Sequence, residues 1–309
     1  MSTTTSPLRG SAFLLGAALC WGLGFYAQRL SLTTLTPLWA TSARFVIAVP
    51  LALFVLQGRR RAGVRIPWRA GIVCGAVVAF AFALQTIAML HTPVSRVALI
   101  TGLYGVLTPL LQPLFGLKRP TALQLLAVGV ATAGTTLLCG VLSDARAQTA
   151  PPNVGDALTL VMAIVSAFYV LFLARMGTGV DPLALNSVQV LAMSVCSAVV
   201  APVFEGWPAQ LPDGVTWASV TYLAIASTFV AFLLQMLGQR HVAPSTAAVL
   251  MLLETPIGVG AAVLLLNERM TAPQWTGAVL AIVAVLVAVA AENHARQQES
   301  AIESRATPR

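Results

Sequence analysis

Ten stretches of mostly apolar residues succeed one another along the 309-residue chain, near residues 11–28, 35–56, 70–90, 94–117 and 123–142, then 155–174, 183–204, 216–238, 245–266 and 273–291. Each approaches the length of about 20 residues that a helix needs to cross a hydrocarbon core. In lipid a backbone must satisfy its own N–H and C=O groups, and runs of this length do so as helices. The expected fold is therefore all-α and integral to a membrane, with ten transmembrane helices. Composition agrees, since 58% of residues are hydrophobic and 9% charged, against about 25% charged in soluble domains. Cys20, Cys74, Cys139 and Cys196 all fall inside apolar runs and lack paired spacing for zinc or a disulfide framework, so they read as small buried hydrophobes.

The net charge of +8 does not point to nucleic acid, because no basic patch alternates with aromatic residues. Its largest cluster, Arg59, Arg60, Arg61, Arg65 and Arg69, lies between two apolar runs and reads as a topology signal. With the N-terminus inside, the inner segments carry thirteen Arg or Lys residues and the outer connections four, Arg29, Arg96, Arg146 and Arg269. Both termini are thus expected in the cytoplasm of a multi-pass inner-membrane protein. Trp39, Trp68, Trp207, Trp217 and Trp275 fall near run ends, where amphipathic rings anchor at the interface.

The two halves resemble each other. Leu84-Gln85 with His91, Ser95 and Ala98 recurs as Leu234-Gln235 with His241, Ser245 and Ala248, each pair 150 positions apart. Arg119, Thr121 and Gln124 recur as Arg269, Thr271 and Gln274 at the same offset. Pro37-Leu38 with Ser42 answers Pro182-Leu183 with Ser187 at an offset of 145. Two copies of a five-span unit follow, and an odd number of spans inserts the second copy upside down, as in many secondary transporters. The units are expected at 10–142 and 155–291, joined by a linker at 143–154 and followed by a polar, disordered cytoplasmic tail at 292–309.

Glu254 is the costliest side chain of the ninth run. A carboxylate at mid-depth costs about 2.5–3.5 kcal/mol on insertion scales, so it is expected to face a cavity or the bundle interior. Ala247, Met251, Gly258 and Ala261 share its helical face, and Pro256 breaks the backbone bonding two residues on. Arg44, in the second run, cannot readily lose its proton and needs an anionic partner, either a substrate or Glu254 itself. Its repeat counterpart is Gln189. In the fourth run Thr101, Tyr104, Gly105 and Thr108 share a polar face ahead of Pro109 and Pro113. Fourth and ninth helices are expected to cross at the cavity, with Pro109 and Pro256 as hinges. Trp21, Tyr26, Gln85, Ser166, Tyr169, Tyr222 and Gln235 complete the candidate wall. Gly277, Ala281, Ala284 and Ala288 form a small-residue stripe on the tenth run, suited to scaffold packing or to a homodimer.

These residues carry a resemblance. Met251-Leu-Leu-Glu-Thr-Pro256, followed by Leu264-Leu-Leu-Asn-Glu-Arg-Met-Thr271 with Gln274 and Gly277, resembles the second EamA unit of the drug/metabolite transporter superfamily. Ile100 to Leu110 is similar to the matching stretch of the first unit, and Trp21-Gly22 to its opening helix. The resemblance implies two inverted five-helix EamA repeats around a central cavity, and export of amino acids or related small metabolites. The branch it most resembles is that of the aromatic amino-acid exporters. Expected partners are a small-molecule substrate, the lipid bilayer and a coupling proton. Other export classes, nucleotide-related or quaternary ammonium, stay open beside it, as do an intramembrane enzyme, a channel or a scaffold.

No catalytic residue, metal site or cofactor is expected. The chain has no Gly-x-Ser-x-Gly, no His-Glu-x-x-His and no Cys/His ligand set. Its one lysine, Lys118, follows no phosphate-binding glycine loop, which excludes nucleotide hydrolysis within the chain. Export must then draw on an ion gradient or on the substrate's own.

Overall fold

The computed structural model describes residues 7–92, 97, 100–138, 153–176, 179–208, 211–258 and 271–306. Among them every regular element is helical. In chain order these are α1 (Pro7–Ser31), α2 (Pro37–Ile47), α3 (Val49–Arg61), α4 (Trp68–Ala88), α5 (Leu103–Leu111), a 3-10 turn at Gln112–Phe115 and α6 (Ala122–Leu138). The second half holds α7 (Val154–Met176), α8 (Pro182–Glu205), α9 (Gly214–Tyr222), a π-helical stretch at Leu223–Val230, α10 (Ala231–Gly238), α11 (Pro244–Met251) and α12 (Ala272–Ala306).

Seven helices among the described residues are long and apolar enough to cross a membrane, counting α2–α3 and α9–α10 as one span each. The fourth and fifth expected spans are represented by the shorter apolar helices Leu103–Phe115 and Ala122–Leu137. The ninth begins as α11, and residues 259–270, which hold all of the Leu264–Thr271 motif but its last residue, lie outside the described residues.

Local chemistry explains where the helices start and bend. Pro37, Pro182 and Pro244 occupy first helical positions, where the missing N–H has no intrahelical role. Asp181 and Asp213 cap α8 and α9, accepting from the N–H of Ala184 and Thr216 at 2.8 Å each. Thr36 makes no such cap for α2; Glu205, at the far end of α8, accepts instead from the N–H of Leu38 and Trp39 at 3.0 and 3.2 Å. The carboxylate thus meets both the orphan donors and the positive end of the helix dipole. The second span is interrupted at Ala48, because Pro50 has no N–H to bond the preceding turn.

One expectation needs correction. The tail expected to be disordered is helical as far as Ala306, continuing α12. Its Ala, Glu, Gln and Arg residues favour helix, and no Gly or Pro interrupts them. Glu292, inside that stretch, accepts from the Ala243 N–H at 3.1 Å and from the Thr246 hydroxyl at 2.9 Å, so it caps α11 from another helix.

The packing repeats when the halves are exchanged. α1 lies on α9–α10, as α7 lies on α4; α11 lies on α1, as α5 lies on α7. α2 pairs with α8 and α6 with α12, each helix with its own counterpart. Small residues allow the two matching close approaches at the helix starts. A Cβ on Gly10 would come within 2.5 Å of His241 Cβ, and one on Gly155 within 2.4 Å of Thr92 Oγ1.

Candidate functional site

The packing of α1, α4, α5, α7 and α10 around the end of α11 leaves a cavity of about 100 Å³. That is several times the space one water molecule needs. One wall is aromatic. Trp21 meets Phe232 edge-on with centroids 5.3 Å apart, and Phe232 also meets Tyr169 at 5.9 Å and Phe82 at 6.1 Å. The indole N–H of Trp21 donates to the Ser227 carbonyl at 2.9 Å, and the Tyr169 hydroxyl donates to Gln189 Oε1 at 2.9 Å, which locks both rings.

Arg44 enters from α2 and is 2% exposed. Its guanidinium lies 4.5 Å from the Phe82 ring centroid. Nε donates to Thr228 Oγ1 at 3.1 Å, one terminal nitrogen to Gln28 Oε1 at 3.0 Å and the other to Ser227 Oγ at 3.1 Å. All three partners are neutral. Three of the five N–H groups of an arginine are used, which leaves two. Arg59 at the end of α3 forms an ion pair with Asp181, and no such pair joins Arg44 to a carboxylate among the described residues. Of the two readings left open for Arg44, a fixed pair with Glu254 does not form.

The neutral cage depends on local backbone. Ser227 and Thr228 sit in the π-helical stretch, where i→i+5 bonding widens the turn. Gly24 is required beside them, since a Cβ there would stand 2.9 Å from Ser227 Oγ. Neither feature is visible in a periodicity built on 3.6 residues per turn.

Glu254 lies on the opposite half of the sequence, after a break in the ninth helix. α11 ends at Met251, residues 252–253 form a turn, and helix resumes at 254–258. Pro256 cannot bond the Leu252 carbonyl, and Thr255 N–H donates to it instead at 3.2 Å, tightening the turn. Glu254 is 7% exposed and lines the cavity, with no hydrogen bond or ion pair among the described residues. The break presses its backbone onto α1, where a Cβ on Gly22 would lie 2.6 Å from the Glu254 carbonyl oxygen. α5 crosses α11 at Gly105, whose absent Cβ would meet Leu252 at 2.6 Å.

The structure brings together Trp21, Arg44, Gln85 and Thr101 with Tyr104, Ser166, Tyr169, Gln235 and Glu254 around this cavity. Three sequence candidates stand elsewhere. Tyr26 is half-buried on another face of α1; Thr108 turns its hydroxyl back to the Tyr104 carbonyl at 2.7 Å; Gln189 stands behind Tyr169 as its acceptor. Tyr222 is also off the wall, its hydroxyl donating to the Cys20 carbonyl at 3.0 Å. Sequence reasoning missed Gln28, Phe82, Ser227 and Phe232. Gln28 stands four residues from Gly24 and Phe232 three from Gln235 on their helices, a same-face spacing that offered a signal for both.

A bundle of membrane-length helices enclosing a cavity lined by Arg44 and Glu254 suits a membrane transporter. The chain belongs to the EamA-like transporter family, whose pattern matches it twice, at residues 8–140 and 153–290. It is 26% identical over 270 residues to an uncharacterized transporter of Archaeoglobus fulgidus, covering 87% of this chain and 82% of that protein. A protein of known crystal structure superposes with a TM-score of 0.80 over 94% of this chain and 99% of its own; at 19% identity the likeness is one of fold.

Proposed function

We propose that this transporter is a secondary exporter of amino acids or related small metabolites, working by alternating access across the cytoplasmic membrane. The observation that carries the reading is a buried guanidinium with neutral partners and a buried carboxyl with none among the described residues, lining one cavity. An uncompensated charge at membrane depth costs about 2.5–3.5 kcal/mol on insertion scales, a cost that a ligand bearing the opposite charge removes. A zwitterion offers a carboxylate to Arg44 and an ammonium to Glu254. The aromatic wall suits an apolar or aromatic side chain, in keeping with the aromatic amino-acid branch.

In this reading ten helices form two inverted five-helix units, 10–142 and 155–291, with both termini cytoplasmic. The exchange-symmetric packing and the double family match support two units, and the basic residues of the inner segments support the orientation. Reporter fusions at Gly63 and at the C-terminus are expected to read cytoplasmic, and one at Gln148 external. An external Gly63 would reverse the orientation. Pro109 and Pro256 serve as hinges, each beside a place where helical bonding changes. The stripe on α12 faces α6 through Gly134, which leaves a homodimer to other surfaces.

The test is export of the twenty standard amino acids from loaded proteoliposomes, with and without an imposed proton gradient. Saturable export of at least one, accelerated by the gradient, is expected. Failure with all twenty sinks the amino-acid reading. Quaternary ammonium export is the second reading, favoured by the rings and Glu254 together. It predicts that tetraalkylammonium ions move while amino acids do not.

A further inference from the structure

The amide of Gln28 has a fixed orientation. A guanidinium can only donate, so the Gln28 atom that faces Arg44 at 3.0 Å must be the oxygen, and Nε2 takes the other position. That nitrogen is buried and has no acceptor among the described residues, in a side chain 5% exposed that lines the cavity. Gln28 also leaves Arg44 its charge, since the same position occupied by an acid would neutralise it. Neutral cage and spare donor thus point the same way, toward an anionic group supplied from outside.

We infer that Gln28 is a specificity-determining residue that acts with Arg44 as a two-part receptor for the carboxylate of the transported molecule. Arg44 contributes charge and its two unused N–H groups; Gln28 contributes one neutral N–H, held in place by its own bond to Arg44. The inference rests on the amino-acid reading above and adds a residue and a discrimination to it. The pair should favour carboxylates over the corresponding amines, because only a carboxylate has two acceptor atoms and a charge to match. Glutamine rather than glutamate at position 28 is the element that keeps the receptor open.

The decisive variant is Gln28→Glu, which keeps the shape and gives Arg44 an internal carboxylate. The probe is whichever standard amino acid binds the purified wild-type protein most tightly, compared with its decarboxylated amine. Wild type should prefer the amino acid. In Gln28→Glu its affinity should fall about tenfold or more while that of the amine holds or rises, so that the preference shrinks or inverts. Gln28→Met, similar in volume and uncharged, removes the donor alone and should weaken the amino acid by a smaller factor; it carries the test should Gln28→Glu not fold. Unchanged preference in the folded variants, with Arg44→Gln losing the amino acid, overturns the role of Gln28 and leaves that of Arg44. Unchanged binding in Arg44→Gln, or no binding of any standard amino acid to wild type, overturns the amino-acid reading itself.

Discussion

Arg44→Gln is expected to lower affinity for a carboxylate-bearing substrate by at least about thirtyfold, since losing one partner of a buried, hydrogen-bonded charge pair costs about 2–5 kcal/mol. Stability should move the other way or not at all. The guanidinium hydrogen-bonds Thr228, Gln28 and Ser227 and faces the Phe82 ring, so among the described residues its charge has no counterion. Glutamine can keep one or two of these bonds and removes the charge. A melting curve of the purified protein, paired with a binding titration, separates the two roles. A merely structural Arg44 would melt early when replaced and show no selective loss for carboxylates. Arg44→Lys should recover little binding, because an ammonium lacks the planar fork.

The second large effect is expected at Glu254. Glu254→Gln preserves shape and removes titration, and the carboxyl makes no bond among the described residues whose loss would confuse the result. If Glu254 binds the substrate ammonium, affinity for zwitterionic substrates should fall about tenfold or more at every pH, and N-acetylated substrates should show no such fall. If it carries the coupling proton, binding should persist while the response of export to a proton gradient disappears. Equal binding, transport and gradient response in wild type and variant would leave Glu254 a structural group. The ammonium role is the one that pairs naturally with Arg44, since both ends of one small molecule would then be recognised.

Much of this was legible before any coordinates. Apolar runs announced the helices, and the offsets of 150 and 145 anticipated packing that survives exchange of the halves. Arg44 and Glu254 could be chosen because charges in apolar runs are few and costly. Their relation could not be read, because it depends on which face of α2 meets which neighbour. The tail was misjudged from polarity alone, when its lack of helix breakers carried the information. Tyr26 and Thr108 were chosen by residue type and α-helical spacing. Thr108 instead bonds its own backbone, as hydroxyls in membrane helices often do. Gln28 and Ser227 escaped notice because neutral residues in an apolar run raise no alarm until a charge is found beside them.

The π-helical stretch at Leu223–Val230 has a further consequence. Its counterpart by the 150-residue offset, residues 73–80, lies in the unbroken α-helix α4. Two lengths of chain that match in sequence position therefore hold their backbones by different bonding schemes. A π segment winds more widely than an α-helix, because each N–H reaches one residue further back for its acceptor. Phe232 and Gln235 stand directly beyond it, while Phe82 and Gln85 stand beyond plain α-helix. The two halves thus present Phe82 with Gln85 and Phe232 with Gln235 to one cavity from differently wound backbones.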